Sequence, residues 1–312
     1  MASESQFKLL LQRRFGPFFL TQFLGAFNDN VFKNALIVLI TFQVSRGASP
    51  ETLTNLSAGL FILPFFLFSA TFGQLADKLD KARLIRVTKV FEVLVMLAAA
   101  FAFTINSLAL LIALLFLMGV QSALFGPVKY SILPQQLTDR ELVGGNGLVE
   151  SGTFLAILLG TLTGGLLIAM DRGAGWVAAT LVVFALAGLA SSYYVPATTP
   201  TAPDLKINLN PLTETWRIFK FLRGNRTVFL SVLGISWFWL LGALYLAQLP
   251  LYTKDILGAN AQVVTLLLVL FSLGIGMGSL GCEKLSGHKV ELGLVPLGSI
   301  GLTAFGIDLY FT

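Results

Sequence analysis

Leu108-Ala-Leu-Leu-Ile-Ala-Leu-Leu-Phe-Leu-Met118 is an unbroken apolar run, with none of the apolar/polar alternation that a barrel strand would show. Its apolar character persists to about residue 130, which gives the roughly 20 residues that a helix needs to cross a bilayer. A helix is the form that lipid imposes, because lipid offers no partner to backbone N–H and C=O groups. Comparable runs recur on either side, so that nine are readable, at about 16–44, 54–76, 84–105, 108–130, 145–170, 174–196, 227–253, 261–282 and 291–311. No stretch remains for a separate soluble domain.

The composition agrees. The 312 residues are 55% hydrophobic and only 12% charged, with a mean hydropathy of +0.81, whereas a soluble domain carries roughly 25% charged residues. An all-α, multi-pass membrane protein is expected. The net charge of +5 and the pI near 9.4 could suit a nucleic-acid binder, but the basic residues are distributed as membrane topology. If the N-terminus is cytoplasmic, that side holds 17 of the 21: Lys8, Arg13, Arg14, Lys78, Lys81, Arg83, Arg86, Lys89, Lys129, Arg140, Lys206, Arg217, Lys220, Arg223, Arg226, Lys284 and Lys289. Arg46, Arg172 and Lys254 fall outside, and Lys33 lies within a span. Short cytoplasmic loops retain Lys and Arg, so the N-terminus is read as cytoplasmic, and nucleic acid is not expected as a partner. The single cysteine, Cys282, excludes an internal disulfide and a Cys-rich metal site; no metal or cofactor is expected. The first span is too long for the core of a cleaved signal and is expected to remain.

The longest polar interval is 197–226. It contains Pro200, Pro203 and Pro211 and ends in a basic amphipathic piece from Glu214 to Arg223, whose Trp216, Phe219 and Phe221 are expected on a different face from its charges, against lipid headgroups. The chain therefore divides into a six-span bundle (1–196), a cytoplasmic linker with an interfacial helix (197–226) and about three spans of a second bundle (227–312). Asp77-Lys78-Leu79 after the second span and Glu283-Lys284-Leu285 after the eighth coincide at an offset of 206 residues, as duplicated halves would.

Gly73-x-x-x-Asp77-Lys78-x-x-Lys81-x-Arg83 resembles the loop signature of the major facilitator superfamily, with Asp80 where a second glycine is usual. The resemblance implies a major facilitator-type helical bundle and makes Gly73, Asp77, Lys78, Lys81 and Arg83 a loop that locks the outward-facing state. Physically, Gly73 would permit close helix approach, Asp77 would cap or pair with a neighbouring helix end, and the bases would sit in an anionic interface.

Ionisable groups at membrane depth cost several kcal/mol (about 3) by insertion scales, so each needs a partner, a cavity or an interfacial position. In the first span Gln22, Asn28, Asp29, Asn30, Lys33 and Asn34 interrupt an apolar helix. Asp29 and Lys33 share a face at i, i+4; they form either a self-satisfied structural pair or a site for a polar headgroup or coupling ion. Lys129 follows Gly126-Pro127 at the end of the fourth span, where it either snorkels to the interface or turns inward to attract a phosphate. Asn146 and Glu150 open the fifth span as another i, i+4 polar pair, and Glu150 is a candidate partner for Lys129. Gly160-Thr161-Leu-Thr163-Gly164-Gly165 resembles the superfamily's glycine motif in that span and suits close helix packing. Glu92 is placed near the cytoplasmic interface and Asp308 near the opposite one.

Phe19-Leu-Thr-Gln22-Phe23-Leu-Gly25-Ala26-Phe27-Asn28-Asp29-Asn30-x-Phe32-Lys33-Asn34, Gly126-Pro127-x-Lys129-Tyr130-x-Ile132-Leu133-Pro134 and Asn146-Gly147-x-x-Glu150 together resemble the bacterial lysophospholipid transporter family. The similarity implies a bacterial inner-membrane carrier that moves lysophospholipids such as lysophosphatidylethanolamine for re-acylation. Asp29, Lys129 and Glu150 would line the polar part of the pathway, and a separate acyltransferase/acyl-ACP synthetase is a possible partner. A twelve-span member would continue past Thr312. The acyltransferases fused to many relatives use a His and an Asp with four residues between them; here Gly293 stands where His288 would need that Asp, and no phosphate-binding Gly-Lys-Ser/Thr loop exists, so a non-enzyme is expected. Two other readings stay open: a major facilitator proton-coupled carrier or antiporter of a soluble solute or drug, and a non-transporting scaffold that holds an acyltransferase at its lipid.

Overall fold

A computed structural model describes residues 6–43, 50–259 and 261–311; Arg46, assigned above to an outer loop, lies outside them. After a 3-10 turn at Gln6–Leu11 come α1 (Gly16–Gln43), α2 (Pro50–Lys78), α3 (Lys81–Thr104), α4 (Leu108–Ser131) and the single turn α5 (Leu133–Gln136). There follow α6 (Asp139–Ile168), α7 (Gly173–Ser192), α8 (Pro211–Gly224), α9 (Arg226–Asp255), α10 (Ala261–Leu285) and α11 (Leu294–Phe311). Nine of these described helices are long and apolar enough to cross a membrane, and they coincide with the nine runs read from the sequence.

Polar residues set the helix ends at the basic side. Asp80 caps α3 by accepting from the Ala82 N–H, Thr138 and Glu141 form a reciprocal capping box on α6, and Asn210 and Asn225 cap α8 and α9. Each satisfies backbone donors that a helix leaves unpaired at its start. Arg14, just ahead of α1, reaches the carboxylate of Glu141 and the Gln136 carbonyl, which fastens the chain start to the base of α6.

α1 packs against α6 and α7, α2 against α4, and α3 against α7 and α4. The expected close packing through the fifth span is present. A Cβ placed on Gly160 would stand 2.4 Å from the Phe27 carbonyl oxygen, and one on Gly164 2.4 Å from that of Val31, so α6 touches α1 backbone to backbone. Asn34 Nδ2 adds a hydrogen bond to the Thr161 carbonyl at 2.7 Å. Phe32 meets Phe103 edge-on at 5.7 Å in the apolar core behind this contact.

The same helix α6 turns a second small-residue stripe toward α10. A Cβ on Gly147 would meet the Ser279 carbonyl at 2.5 Å, Ser151 Oγ donates to the Gly276 carbonyl at 2.7 Å, and Gly144 lies under the Glu283 carboxylate. Gln6 Nε2 donates to the Leu280 carbonyl at 3.0 Å, so the N-terminal turn is wedged at the foot of this seam.

The signature loop differs from its expectation in three ways. A Cβ on Gly73 would find nothing within 4 Å among the described residues, so the close approach expected there is absent from them. The capping role expected of Asp77 falls to Asp80, while Asp77 is exposed and offers its backbone carbonyl to the Ala202 N–H at 2.8 Å. Lys81, expected at a lipid interface with Lys78 and Arg83, is buried, and its Nζ donates to Thr201 Oγ1 at 3.2 Å.

The differences at Asp77, Asp80 and Lys81 share one cause: the segment after α7 runs back across the loop and is tied to it. Asp80 Oδ1 accepts from both Thr198 N–H and Thr198 Oγ1 at 2.9 Å. Gln74 and Asn208 exchange two hydrogen bonds, 2.7 and 3.1 Å, and Asn208 Nδ2 continues to Glu214 at the start of α8. Burial works against the charged Asp80 carboxyl, but the donors of Thr198 and Ala82 prevail and hold it below the usual carboxylate range. Along α8, Trp216 and Phe219 share one side; at about 100° per residue, Phe221 falls on the opposite side, among the charges, and not with them as expected.

Candidate functional site

The polar residues of the spans gather into two clusters on the inner faces of α1, α3, α4 and α6. The deeper one is built on a buried ion pair. Lys89 and Glu92 stand one turn apart on α3, each 1% exposed, with Nζ 2.6 Å from Oε2. Gln121 Nε2 of α4 donates to the same Oε2 at 3.0 Å. Ser122 Oγ lies 2.7 Å from Asp29 Oδ2 and 3.1 Å from Gln121 Oε1, and its one proton serves either acceptor. A chain of polar contacts therefore runs from Lys89 through Glu92, Gln121 and Ser122 to Asp29, in which the Ser122 proton completes one of its two links at a time.

This chain overturns two expectations. The sequence pattern puts Lys89 and Glu92 at the cytoplasmic interface, but α3 begins at Lys81 and places Lys89 about 12 Å along the helix. There the ammonium is held between α1 and α7: a Cβ on Gly25 would stand 2.4 Å from it and one on Gly188 3.7 Å. The Phe125 ring lies 5.5 Å away and adds a cation–π contact. Two glycines thus leave the room that a buried lysine requires, a signal present in the sequence but unreadable without knowing which helices meet.

Of the two alternatives left open for Asp29 and Lys33, the self-satisfied ion pair is not formed among the described residues. Asp29 takes the Ser122 hydroxyl instead, and Lys33 Nζ lies over the Phe61 ring of α2 at 4.5 Å. Asp29 Oδ1 and Glu92 Oε1 are buried with no protein partner, so each carboxylate keeps one free acceptor.

The second cluster lies nearer the basic end. Lys129 Nζ donates to Thr153 Oγ1 of α6 at 2.7 Å, and Thr153 is 3.0 Å from Gln22 Oε1 of α1. The proposed Lys129–Glu150 ion pair is not formed: Glu150 is engaged by the hydroxyl of Tyr130, whose ring Lys129 overlies at 5.2 Å. A tyrosine next to the lysine intercepts the carboxylate. Asn30 and Asn146 turn back to carbonyls of their own helices, Ala26 and Leu142, so neither joins a cluster. Gln121, Ser122 and Thr153 were not singled out as site residues from the sequence; one or two polar atoms in an apolar helix acquire meaning only through what they face.

Ser122 and Lys129 are seven residues apart on α4, about 10 Å along its axis. An anionic station at Asp29 and a cationic one at Lys129 therefore stand two turns apart on one inner surface. Both groups retain unused capacity: Lys129 has two further N–H donors and Asp29 a free oxygen. The arrangement suits a zwitterion better than a simple anion or cation. No cluster of three or more potential metal ligands occurs among the described residues. An open cavity of about 390 Å³ bordered by Leu39, Asn106 and Arg172 lies at the opposite end and contains none of these groups.

Comparison with known proteins gives concordant matches. The profile of the Major Facilitator Superfamily matches residues 18–311. The lysophospholipid transporter LplT of Klebsiella pneumoniae is 29% identical over 296 residues, which are 92% of this chain and 70% of that protein. LplT of Escherichia coli O1:K1 is 31% identical over 271 residues, 85% of this chain and 64% of its own length. The chain thus spans about two thirds of the length of these relatives. The crystal structure of the human organic anion transporter MFSD10 superposes with a TM-score of 0.67 at 14% identity, covering 87% of this chain and 72% of the other, and shares its fold.

Proposed function

This chain belongs to the major facilitator superfamily, and on that premise we propose that it moves lysophospholipids across the bacterial inner membrane. The observation that supports this most directly is the pair of oppositely charged stations, Asp29 with Ser122 and Lys129 with Thr153, in a chain that resembles lysophospholipid transporters over 92% of its length. A phosphoethanolamine headgroup presents an amine to the first and a phosphate to the second, while its single acyl chain stays against apolar helix faces. The two-carbon spacer between amine and phosphate is shorter than two helical turns, so the stations serve in succession as the headgroup advances. The residues hold and hand on the headgroup without making or breaking a covalent bond, and the protein is a carrier and not an enzyme.

The positive-inside distribution supports a cytoplasmic N-terminus and a cytoplasmic linker over 197–226 between the six-span bundle and the spans of 227–312. Alternating access would then work by separating α6 from α10 at the seam beside Gly147. An acyltransferase that accepts the delivered lipid is the natural partner.

The test is reconstitution into vesicles, with labelled lysophosphatidylethanolamine, a sugar and a cationic dye offered separately. Acceleration of the lysolipid alone, weakened in Lys129→Gln, is the expected outcome. Movement of sugar or dye instead would favour a soluble-solute carrier or drug antiporter, and movement of none would favour a scaffold.

A further inference from the structure

We propose that α8 is a docking surface for anionic phospholipid headgroups. Three independent observations converge on it. Leu212, Trp216 and Phe219, which share one side, are 74%, 68% and 41% exposed on a helix too short and too charged to span a bilayer. Water disfavours so much bare apolar surface on 14 residues, while the hydrocarbon core rejects Arg217, Lys220 and Arg223. The headgroup layer satisfies both, and tryptophan beside basic residues is the composition that layer selects.

The charge is one-sided. Glu214 is 1% exposed and is held by Arg217 at 2.6 Å, so this acid is hidden and its partner neutralised. What remains outward is Lys220 and Arg223, continued by Arg226 at the start of α9. Arg223 lies over the Phe219 ring at 5.8 Å, so the aromatic platform presents a guanidinium to the phosphate layer.

The height of the helix is set by protein contacts. Asn208, hydrogen-bonded to Glu214, is tied by two bonds to Gln74, one turn before α2 ends at Lys78. α8 therefore begins at the level where the spans leave the membrane, and an attachment at the span boundary is where a headgroup-facing helix must be fixed.

Each Lys or Arg at such a surface is worth roughly a fivefold preference for the docked state, so neutralising Lys220 and Arg223 together should weaken docking by roughly 30-fold. The full chain is reconstituted into nanodiscs of phosphatidylcholine, with and without phosphatidylglycerol, and amide exchange of residues 211–224 is followed together with quenching of Trp216 by headgroup-labelled lipid, corrected with Trp216→Phe. Protection and quenching are expected to rise with phosphatidylglycerol, to fall with salt, and to drop in Lys220→Gln/Arg223→Gln. Insensitivity of the wild-type chain to lipid charge and salt would overturn the proposal without recourse to any variant. Quenching of Trp216 by tail-labelled lipid alone, or full retention of docking in the double variant, would overturn it as well.

Discussion

The buried pair Lys89–Glu92 offers a sharp test, because both side chains are 1% exposed and neither has another opposite charge within bonding distance among the described residues. Lys89→Met keeps the length of the side chain in its cradle of Gly25 and Gly188 but strands the Glu92 carboxylate with Gln121 alone. Glu92→Gln keeps the shape and the contact with Gln121 but strands the ammonium over the Phe125 ring. Removing one partner of a buried pair costs about 3–5 kcal/mol, because the other is left uncompensated, whereas replacing both is often neutral. Each single variant is therefore expected to lose about 3 kcal/mol or more, and the double variant Lys89→Met/Glu92→Gln to return to within about 1 kcal/mol of the parent. The assay is denaturation of detergent-solubilised protein, followed by tryptophan fluorescence, for the four members of the cycle. Additive losses, with the double variant as damaged as the two singles together, would refute the claim that the two charges satisfy each other. Transport by the double variant then reports on Asp29 separately, since Gln121 and Ser122 connect the pair to it.

Gly164→Leu should be the most damaging single change in α6: the new side chain meets the Val31 carbonyl at 2.4 Å, and overpacking of this kind costs about 1–3 kcal/mol, measured as a lower melting temperature in detergent. Lys129→Gln is expected to raise the apparent KM for lysophosphatidylethanolamine about tenfold or more, the size of a charge-assisted hydrogen bond, whereas Lys129→Arg should retain part of it; equal uptake by both variants would remove Lys129 from the pathway. The Asp80 carboxyl is held below its usual range in the folded protein, so its contribution is complete above the unfolded pKa of about 3.9 and is lost as pH falls through the lower folded value. Protease protection of residues 197–210 should therefore be constant from pH 7 to 5 and weaken only below about pH 4, while Asp80→Asn should show weakened protection throughout.

The nine spans were legible because each is specified by its own residues: lipid demands a helix, and twenty apolar residues supply it. The glycine contacts of Gly160 and Gly164 were legible for the same reason, since small residues at that spacing announce close packing before the partner is known. Side-chain partners were not. Asp29 and Lys33 are placed correctly by helical periodicity, yet each prefers a group on another helix, Ser122 and Phe61, whose proximity no local rule reports. Lys89 was the least legible, because a lysine at the edge of an apolar run looks identical whether it snorkels outward or turns in between two glycines. In the signature loop, the departure at Asp80 was visible as a missing glycine; its meaning depended on Thr198, more than a hundred residues later.

The contact between α6 and α10 sets Gly147 and Ser151 against main-chain carbonyls and Gly144 under the Glu283 carboxylate. Apart from Leu280, which packs against the apolar cluster that holds Leu148, these contacts are made by small residues, so parting them requires few rotamers to change. The groups uncovered are peptide carbonyls, the Glu283 carboxylate and one glutamine amide, all of which water solvates readily. The joint thus behaves as a low-friction bearing: its two faces are nearly as content apart as together, and the balance is left to whatever occupies the passage above it.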